Sequence, residues 1–311
     1  MSGKMGSLIS EFAPIYKHPS LWYAVKNSSV EPMGMNIEIT DDFDLKKIAE
    51  SGQCFRWTAM DGSWRIPFRD SCLYISEIGG HMYDLDCRRA EFGALWRPYF
   101  DLDTDYRGIR GRIDPARDPF LFKAAQAEQG IRILRQDPWE ALVSFIISQN
   151  RNIPAIRRSI DLLCRAAGER REDRRGLPYF TFPTPEAVLA LDDAALEACR
   201  LGYRRRYVFA AAEAAAEGRI DLNALAAAPE EETMAALTGL FGVGIKVASC
   251  VSLFGLHHLD AFPVDVWMRR VLEEEYPAGF PFSLYRPFSG VCQQYLFAYY
   301  RNHVRQANAG N

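Results

Sequence analysis

Residues 237 to 265 read LTGLFGVGIKVASCVSLFGLHHLDAFPVD, and this stretch decides the architecture of the second half of the chain. A helical run ends near Thr238, Leu240-Phe241-Gly242-Val243-Gly244 makes a tight hairpin, and a second helix is predicted from Ile245. Glycines permit backbone conformations that other residues resist. Gly242 and Gly244 also leave the hairpin amides bare at the positive end of the following helix. Bare amides and a helix N-terminus together suit an anion such as a DNA phosphate. A glycine pair by itself is more often an ordinary turn.

Two residues sharpen the reading. Lys246 falls on the first turn of the second helix. A protonated amine is electrostatically misplaced there, and a neutral amine is a nucleophile. Asp265 follows in Pro263-Val264-Asp265-Val266, directly before another helical run. Taken singly, Lys246 reads as surface charge and Asp265 as an N-cap. Taken with the hairpin, the pair points to chemistry at a DNA-facing site.

Outward from this segment, the chain has 311 residues, enough for two or three domains and a sizeable core. At 48% hydrophobic and 13% aromatic residues it reads as globular, which excludes a disordered chain. The longest apolar run, around 141–147, is far too short to span a membrane, and no secretion signal is evident. A cytoplasmic protein of bacterial type is expected. The cysteines, at 54, 72, 87, 164, 199, 250 and 292, are odd in number with no metal-ligand spacing, and read as reduced thiols. A net charge of -3 does not advertise nucleic-acid binding. Between Arg151 and Arg206, however, lie twelve Arg, no Lys and eight acids, a local balance of +4. A basic face on a near-neutral body is compatible with docking on phosphates, although charge alone favours a solvated helical surface.

The expected fold class is α+β: an N-terminal antiparallel β-sheet domain with helices, followed by a mostly α-helical core. Residues 1–34 read as a leader, 35–116 as the β domain, 117–305 as helical domains with the helix-hairpin-helix at about 230–256, and 306–311 as a tail. Strands are expected over 36–40, 54–58, 64–68, 72–77 and 81–85, punctuated by Asp61-Gly62 and Gly79-Gly80 turns, with a short helix over 44–50. Helices are expected to open at Asp118-Pro119, at Asp137-Pro138 with Glu140 completing a capping box, and at Thr184-Pro185. Ile153, Ile156, Ile160 and Leu163 form a helical stripe, and further helices are expected over 204–217, 230–239, 245–256, 266–275 and 284–304.

Glycine hairpin, lysine and Pro-Val-Asp together resemble the helix-hairpin-helix, Gly/Pro-Asp superfamily of DNA glycosylases. Three further segments resemble the 8-oxoguanine DNA glycosylase/AP lyase family in a bacterial-like form. They are Gly52-Gln53-Cys54-Phe55-Arg56-Trp57, Ile147-Ser148-Gln149-Asn150-Arg151-Asn152-Ile153, and Leu201-Gly202-Tyr203-Arg204 running on to Arg206-Tyr207. The resemblance extends from about residue 36 to 305, with consistent order and spacing.

The resemblance implies an enzyme that flips 8-oxoguanine out of duplex DNA and removes it. Lys246 would attack the sugar C1′ and form a Schiff base, β-elimination would nick the strand, and Asp265 would stabilise positive charge at the sugar. Gly52 would accept the N7 hydrogen found only on the oxidised base, Gln293 would read the Watson–Crick edge, and Phe297 and Cys250 would enclose the two faces. Asn150, Tyr203 and Arg204 would enter the duplex and hold the orphaned partner base. Gly242, Gly244 and Val247 would meet DNA phosphate. No cofactor is required, but carbonyls of Thr238, Leu240 and Val243 would hold a structural cation when DNA is bound. The partner is double-stranded DNA containing 8-oxoguanine, with no membrane, and a monomer is expected. The chain departs from the family pattern at Phe241, where proline is usual, and at Trp267 and Ala155, where the animal enzymes have histidine and arginine.

Other readings are a glycosylase of the same superfamily for another damaged purine, or a non-catalytic helix-hairpin-helix DNA-binding protein. An alkylpurine enzyme or a gripping module would not need Lys246 together with Asp265. Only Cys292 follows Asp265, which excludes the iron–sulfur relatives.

Overall fold

A computed structural model of the chain describes residues 34–304. The expected leader, but for Gly34, and the expected tail lie outside the described residues. The first element is a five-stranded antiparallel sheet in the order β1-β5-β4-β3-β2. Its strands are β1 (Met35–Glu38), β2 (Thr58–Met60), β3 (Ser63–Phe68), β4 (Ser71–Gly79) and β5 (Met82–Leu85). The β2–β3 turn uses left-handed backbone at Asp61 (φ 48) and Gly62 (φ 78), which lets two short strands reverse direction. Helix α1 (Leu45–Glu50) starts at Asp44, whose carboxylate accepts the Lys47 N–H at 2.9 Å.

The expected strand over 54–58 is instead a loop, and only Thr58–Met60 pairs. Cys54, Phe55 and Trp57 are buried all the same. Their apolar character reflects burial in a pinned loop and not strand pairing. Gln53 does the pinning. Its amide donates to Ser51 Oγ (2.8 Å) and the Arg132 carbonyl (2.7 Å), its oxygen accepts the Leu134 N–H (2.8 Å), and its carbonyl takes Gln136 (2.8 Å).

β4 does not alternate in burial: Cys72, Leu73, Tyr74 and Ile75 are all buried. Leu73 and Ile75 face an aromatic core with Trp57, Phe68, Trp96, Tyr99 and Phe100, the last three from helical structure that already begins at Arg89. Tyr74 faces the other way, onto a small hairpin of β6 (Arg170–Glu172) and β7 (Pro178–Phe180) that the sequence pattern did not announce. Asp173 in that hairpin accepts Arg65 Nε and the Tyr74 hydroxyl, each at 2.8 Å.

The remainder is helical: α2 (Tyr106–Gly111), α3 (Pro119–Ala127), α4 (Pro138–Ser148), α5 (Ile153–Ala167), α6 (Pro185–Leu189), α7 (Asp193–Ala198), α8 (Arg205–Ala216), α9 (Leu222–Leu225), α10 (Glu230–Thr238), α11 (Ile245–Phe254), α12 (Val266–Glu275), α13 (Phe282–Tyr285) and α14 (Ser289–Tyr299). The expected starts of α3, α4 and α6 hold, each with a side-chain cap before Pro at the first helical position. The capping box at α4 is corrected. Glu140 does not bond back to the cap but pairs with Arg56 at 3.0 Å, tying α4 to the pinned loop. The single helix expected over 284–304 is also corrected. Pro287 lacks an N–H and holds Arg286 extended (ψ 142), so α13 stops and α14 restarts at Ser289 before a π turn at Tyr300–Val304. α11 is buried from Val247 to Phe254 and packs against α4 and α10.

Candidate active site

Helix, hairpin and helix form as the sequence predicts: α10, a turn through Gly242, then α11 with Gly244 as N-cap. The two glycines differ in conformation. Gly242 is left-handed (φ +81), whereas Gly244 has ordinary extended backbone and open space where a Cβ would go. Gly244 serves instead by leaving the α11 amides uncovered.

Several elements converge on an inner cavity of about 60 Å³. α11 supplies Lys246 and, one turn on, Cys250; α14 supplies Gln293 and Phe297; the pinned loop supplies Gly52; and the start of α12 supplies Asp265. Lys246, Asp265, Gly52 and Phe297 also line an adjoining outer cleft of about 510 Å³, with Asn150, Gly244 and Val247. Gly52 follows the C-terminus of α1 with φ +84, so it ends a helix and not a strand. A Cβ there would only touch Phe297 Cε1, at 3.6 Å, so it is the left-handed backbone and not lack of space that favours glycine.

Two nucleophile types line the inner cavity. Burial pushes the Cys250 thiol above its ordinary value, and the nearby Lys246 only partly offsets this. The thiol therefore stays protonated and inert. That leaves Lys246, whose Nζ lies 5.7 Å from the Phe145 ring centroid. Asp265 is the N-cap of α12, with Oδ1 accepting the Trp267 (2.9 Å) and Met268 (2.8 Å) amides. The cap reading and the cavity-lining reading are therefore both satisfied by one carboxylate.

Asn150, left-handed at φ 51, donates its amide to the Tyr203 hydroxyl at 3.1 Å. Tyr203 is 43% exposed. Arg204 is placed differently: it is buried, its Nε donates to the Gln149 carbonyl at 2.7 Å, and its guanidinium lies 4.3 Å from the Tyr203 ring centroid. It joins the cleft through Gln149 and Asn150 and does not line it. Thr238, Leu240 and Val243 lie on the hairpin outside both cavities. The Thr238 hydroxyl bonds back to the Met234 carbonyl, and the Leu240 carbonyl accepts the Val243 amide at 3.1 Å.

Sequence reasoning passed over Phe145, Gln294 and Arg301. Phe145 falls in an apolar run that reads as core, yet it lines both cavities. Arg301 backs the Phe297 ring (5.3 Å to its centroid) and donates to the Glu50 carbonyl at 2.7 Å. Trp267 lines the outer cleft. Much of the arginine-rich stretch is ordinary surface pairing: Arg165 with Asp161, Arg170 with Glu172, Arg171 with Glu169, and Arg205 with Glu197. All seven cysteines are buried and unpaired with one another, and no helix among the described residues is long and apolar enough to cross a membrane.

Comparison with known proteins agrees with this geometry. The family model for the 8-oxoguanine DNA glycosylase N-terminal domain matches residues 36–142. The model for the HhH-GPD superfamily of base excision DNA repair proteins matches residues 143–278. A structure of MBOgg1 in complex with a low affinity DNA ligand is 36% identical with a TM-score of 0.81, covering 90% of this chain and 98% of that one. The Clostridium acetobutylicum 8-oxoguanine glycosylase/lyase, bound to dsDNA containing cytosine opposite 8-oxoG, is 32% identical with a TM-score of 0.78, covering 87% and 98%. The N-glycosylase/DNA lyase of Saccharomyces cerevisiae is 34% identical over 189 residues, 57% of this chain but 50% of that protein, so the match spans only about half of the yeast relative. Fold and hairpin define a helix-hairpin-helix protein of the HhH-GPD class. Within that class, the chain belongs to the 8-oxoguanine DNA glycosylase family.

Proposed function

We propose that the protein excises 8-oxoguanine from duplex DNA and then cleaves the strand at the resulting site, as an N-glycosylase/DNA lyase. The observation that carries this reading is the single inner cavity where Lys246, Asp265, Gly52, Cys250, Gln293 and Phe297 meet. A target base inside a duplex is out of reach, so it must be flipped into such a cavity. The Lys246 amine attacks C1′ as the glycosidic bond breaks and its electron pair leaves with the base. Loss of a proton from the nitrogen and opening of the sugar give the Schiff base, and β-elimination follows. Asp265, with Oδ1 held by two amides, presents a fixed negative charge to the cationic sugar.

Recognition rests on Gly52 for the N7 hydrogen, on Gln293 for the Watson–Crick edge, and on Phe297 and Cys250 for the faces. Asn150 and Tyr203 fill the gap in the duplex, with Arg204 behind them. Gly242, Gly244 and Val247 meet phosphate, and main-chain oxygens of Thr238, Leu240 and Val243 hold a cation that the phosphate completes. The protein acts as a monomer on the DNA of a bacterial-type cytoplasm. The test is incubation with matched duplexes carrying 8-oxoguanine or guanine at one position. Base release and a nick confined to the lesion duplex are expected; equal action on both, or on neither, would refute the reading.

A further inference from the structure

Gln293 and Gln294 form a directional relay. The Pro263 carbonyl can only accept, so the Gln293 group facing it at 3.0 Å is the Nε2 donor. Gln293 Oε1 therefore points the other way and accepts Gln294 Nε2, also at 3.0 Å. That orientation leaves Gln294 Oε1 as the last atom of the relay. It is buried and has no hydrogen-bond partner, on a side chain only 3% exposed that lines the inner cavity. An unsatisfied buried acceptor is destabilising, and it needs a reason.

We infer that Gln294 Oε1 is a second base-reading group, which accepts a hydrogen bond from the exocyclic amino group of the flipped purine. The inference rests on the proposed function. Gln293 has its Nε2 committed to Pro263 and one side of its oxygen committed to Gln294, which limits what it alone can read. A guanine-type edge carries adjacent N–H and NH₂ donors, so its amino group calls for an acceptor besides Gln293, and Gln294 Oε1 is the acceptor without a partner. Phe297, one helical turn beyond both glutamines on α14, then supplies the stacking face.

The experiment compares single-turnover excision of 8-oxoguanine and of 8-oxohypoxanthine, the same lesion without the amino group, from identical duplexes. The wild type should prefer 8-oxoguanine by about tenfold, the worth of one hydrogen bond to a buried acceptor. Gln294→Met should lose about tenfold on 8-oxoguanine and change little on 8-oxohypoxanthine. Equal losses on both lesions, or none on either, would overturn the inference while leaving the excision activity standing. A wild type that removes no 8-oxoguanine would overturn the function itself. Should Gln294→Met fail to fold, a complex of the wild type with flipped lesion decides: Oε1 should lie within about 3.2 Å of the exocyclic nitrogen, and a clearly longer separation excludes the contact.

Discussion

The Tyr207 ring lies against the α-carbon of Gly242 so closely that an added Cβ would fall 2.2 Å from its Cγ. The left-handed φ of +81 adds strain for any side chain. Gly242→Ala is therefore expected to cost roughly 2 kcal/mol or more in urea unfolding and to weaken binding to undamaged duplex. Gly244→Ala, with open space and extended backbone, should cost only about 1 kcal/mol or less, the handicap of alanine at an N-cap. A stability loss equal at the two positions would show that hairpin geometry is set elsewhere.

How far this was legible in the sequence differs by residue. The hairpin, its two helices and the helix that opens after Asp265 follow from local signals, whereas the roles given to Lys246 and Asp265 came from the family resemblance. Glu140 did not follow, because its partner Arg56 is 84 residues away and no local rule selects an ion pair over a capping box. Nor did the hairpin of β6 and β7. Its arginines look like a basic face until Tyr74 and Asp173 are brought together by the fold. Gln294 was invisible for a related reason: an orphan atom exists only once all its neighbours have partners.

Asp265 caps a helix and faces the cavity, and the two roles separate by substitution. Asn retains the cap-forming oxygen, so Asp265→Asn should fold with near wild-type stability yet excise far more slowly. Asp265→Ala should also lose about 1 kcal/mol of stability. Near-normal single-turnover rates in Asp265→Asn would contradict the electrostatic role.

Ala155 lies on the first turn of α5, its amide donating to the Asn152 cap at 3.0 Å. The alanine methyl offers no hydrogen bond to an orphaned base, while Arg151 is engaged with Ser159 Oγ at 2.6 Å and Arg204 with Gln149. Discrimination for cytosine opposite the lesion should be weak. Ala155→Arg should raise it by about tenfold or more, since a bidentate contact is worth roughly 1–3 kcal/mol. Excision opposite each of the four bases measures this. A strong wild-type cytosine preference that survives Arg151→Ala would show that position 155 is not decisive.

Acid stability should depend on Asp173 and Asp41. Burial opposes ionisation at both. It is outweighed at Asp173 by the Leu177 amide, Tyr74 and Arg65, and at Asp41 by the Arg107 and Tyr106 amides and Arg132, leaving both below the ordinary carboxylate value of 3.8. A lowered folded pKa contributes stability that is present above the unfolded value and lost as pH falls through the folded one. Unfolding free energy should therefore decline below about pH 4, and Asp173→Asn should flatten part of that decline. An unchanged acid limb in the variant would exclude Asp173 as a contributor.

In the proposed reaction Lys246 becomes covalently joined to the sugar. Borohydride reduction during reaction with an 8-oxoguanine duplex tests it directly, because it fixes a Schiff base as a stable protein–DNA adduct. The wild type should be trapped on lesion DNA, and Lys246→Gln should bind the same duplex without being trapped. Trapping of Lys246→Gln at the wild-type level would contradict the assignment.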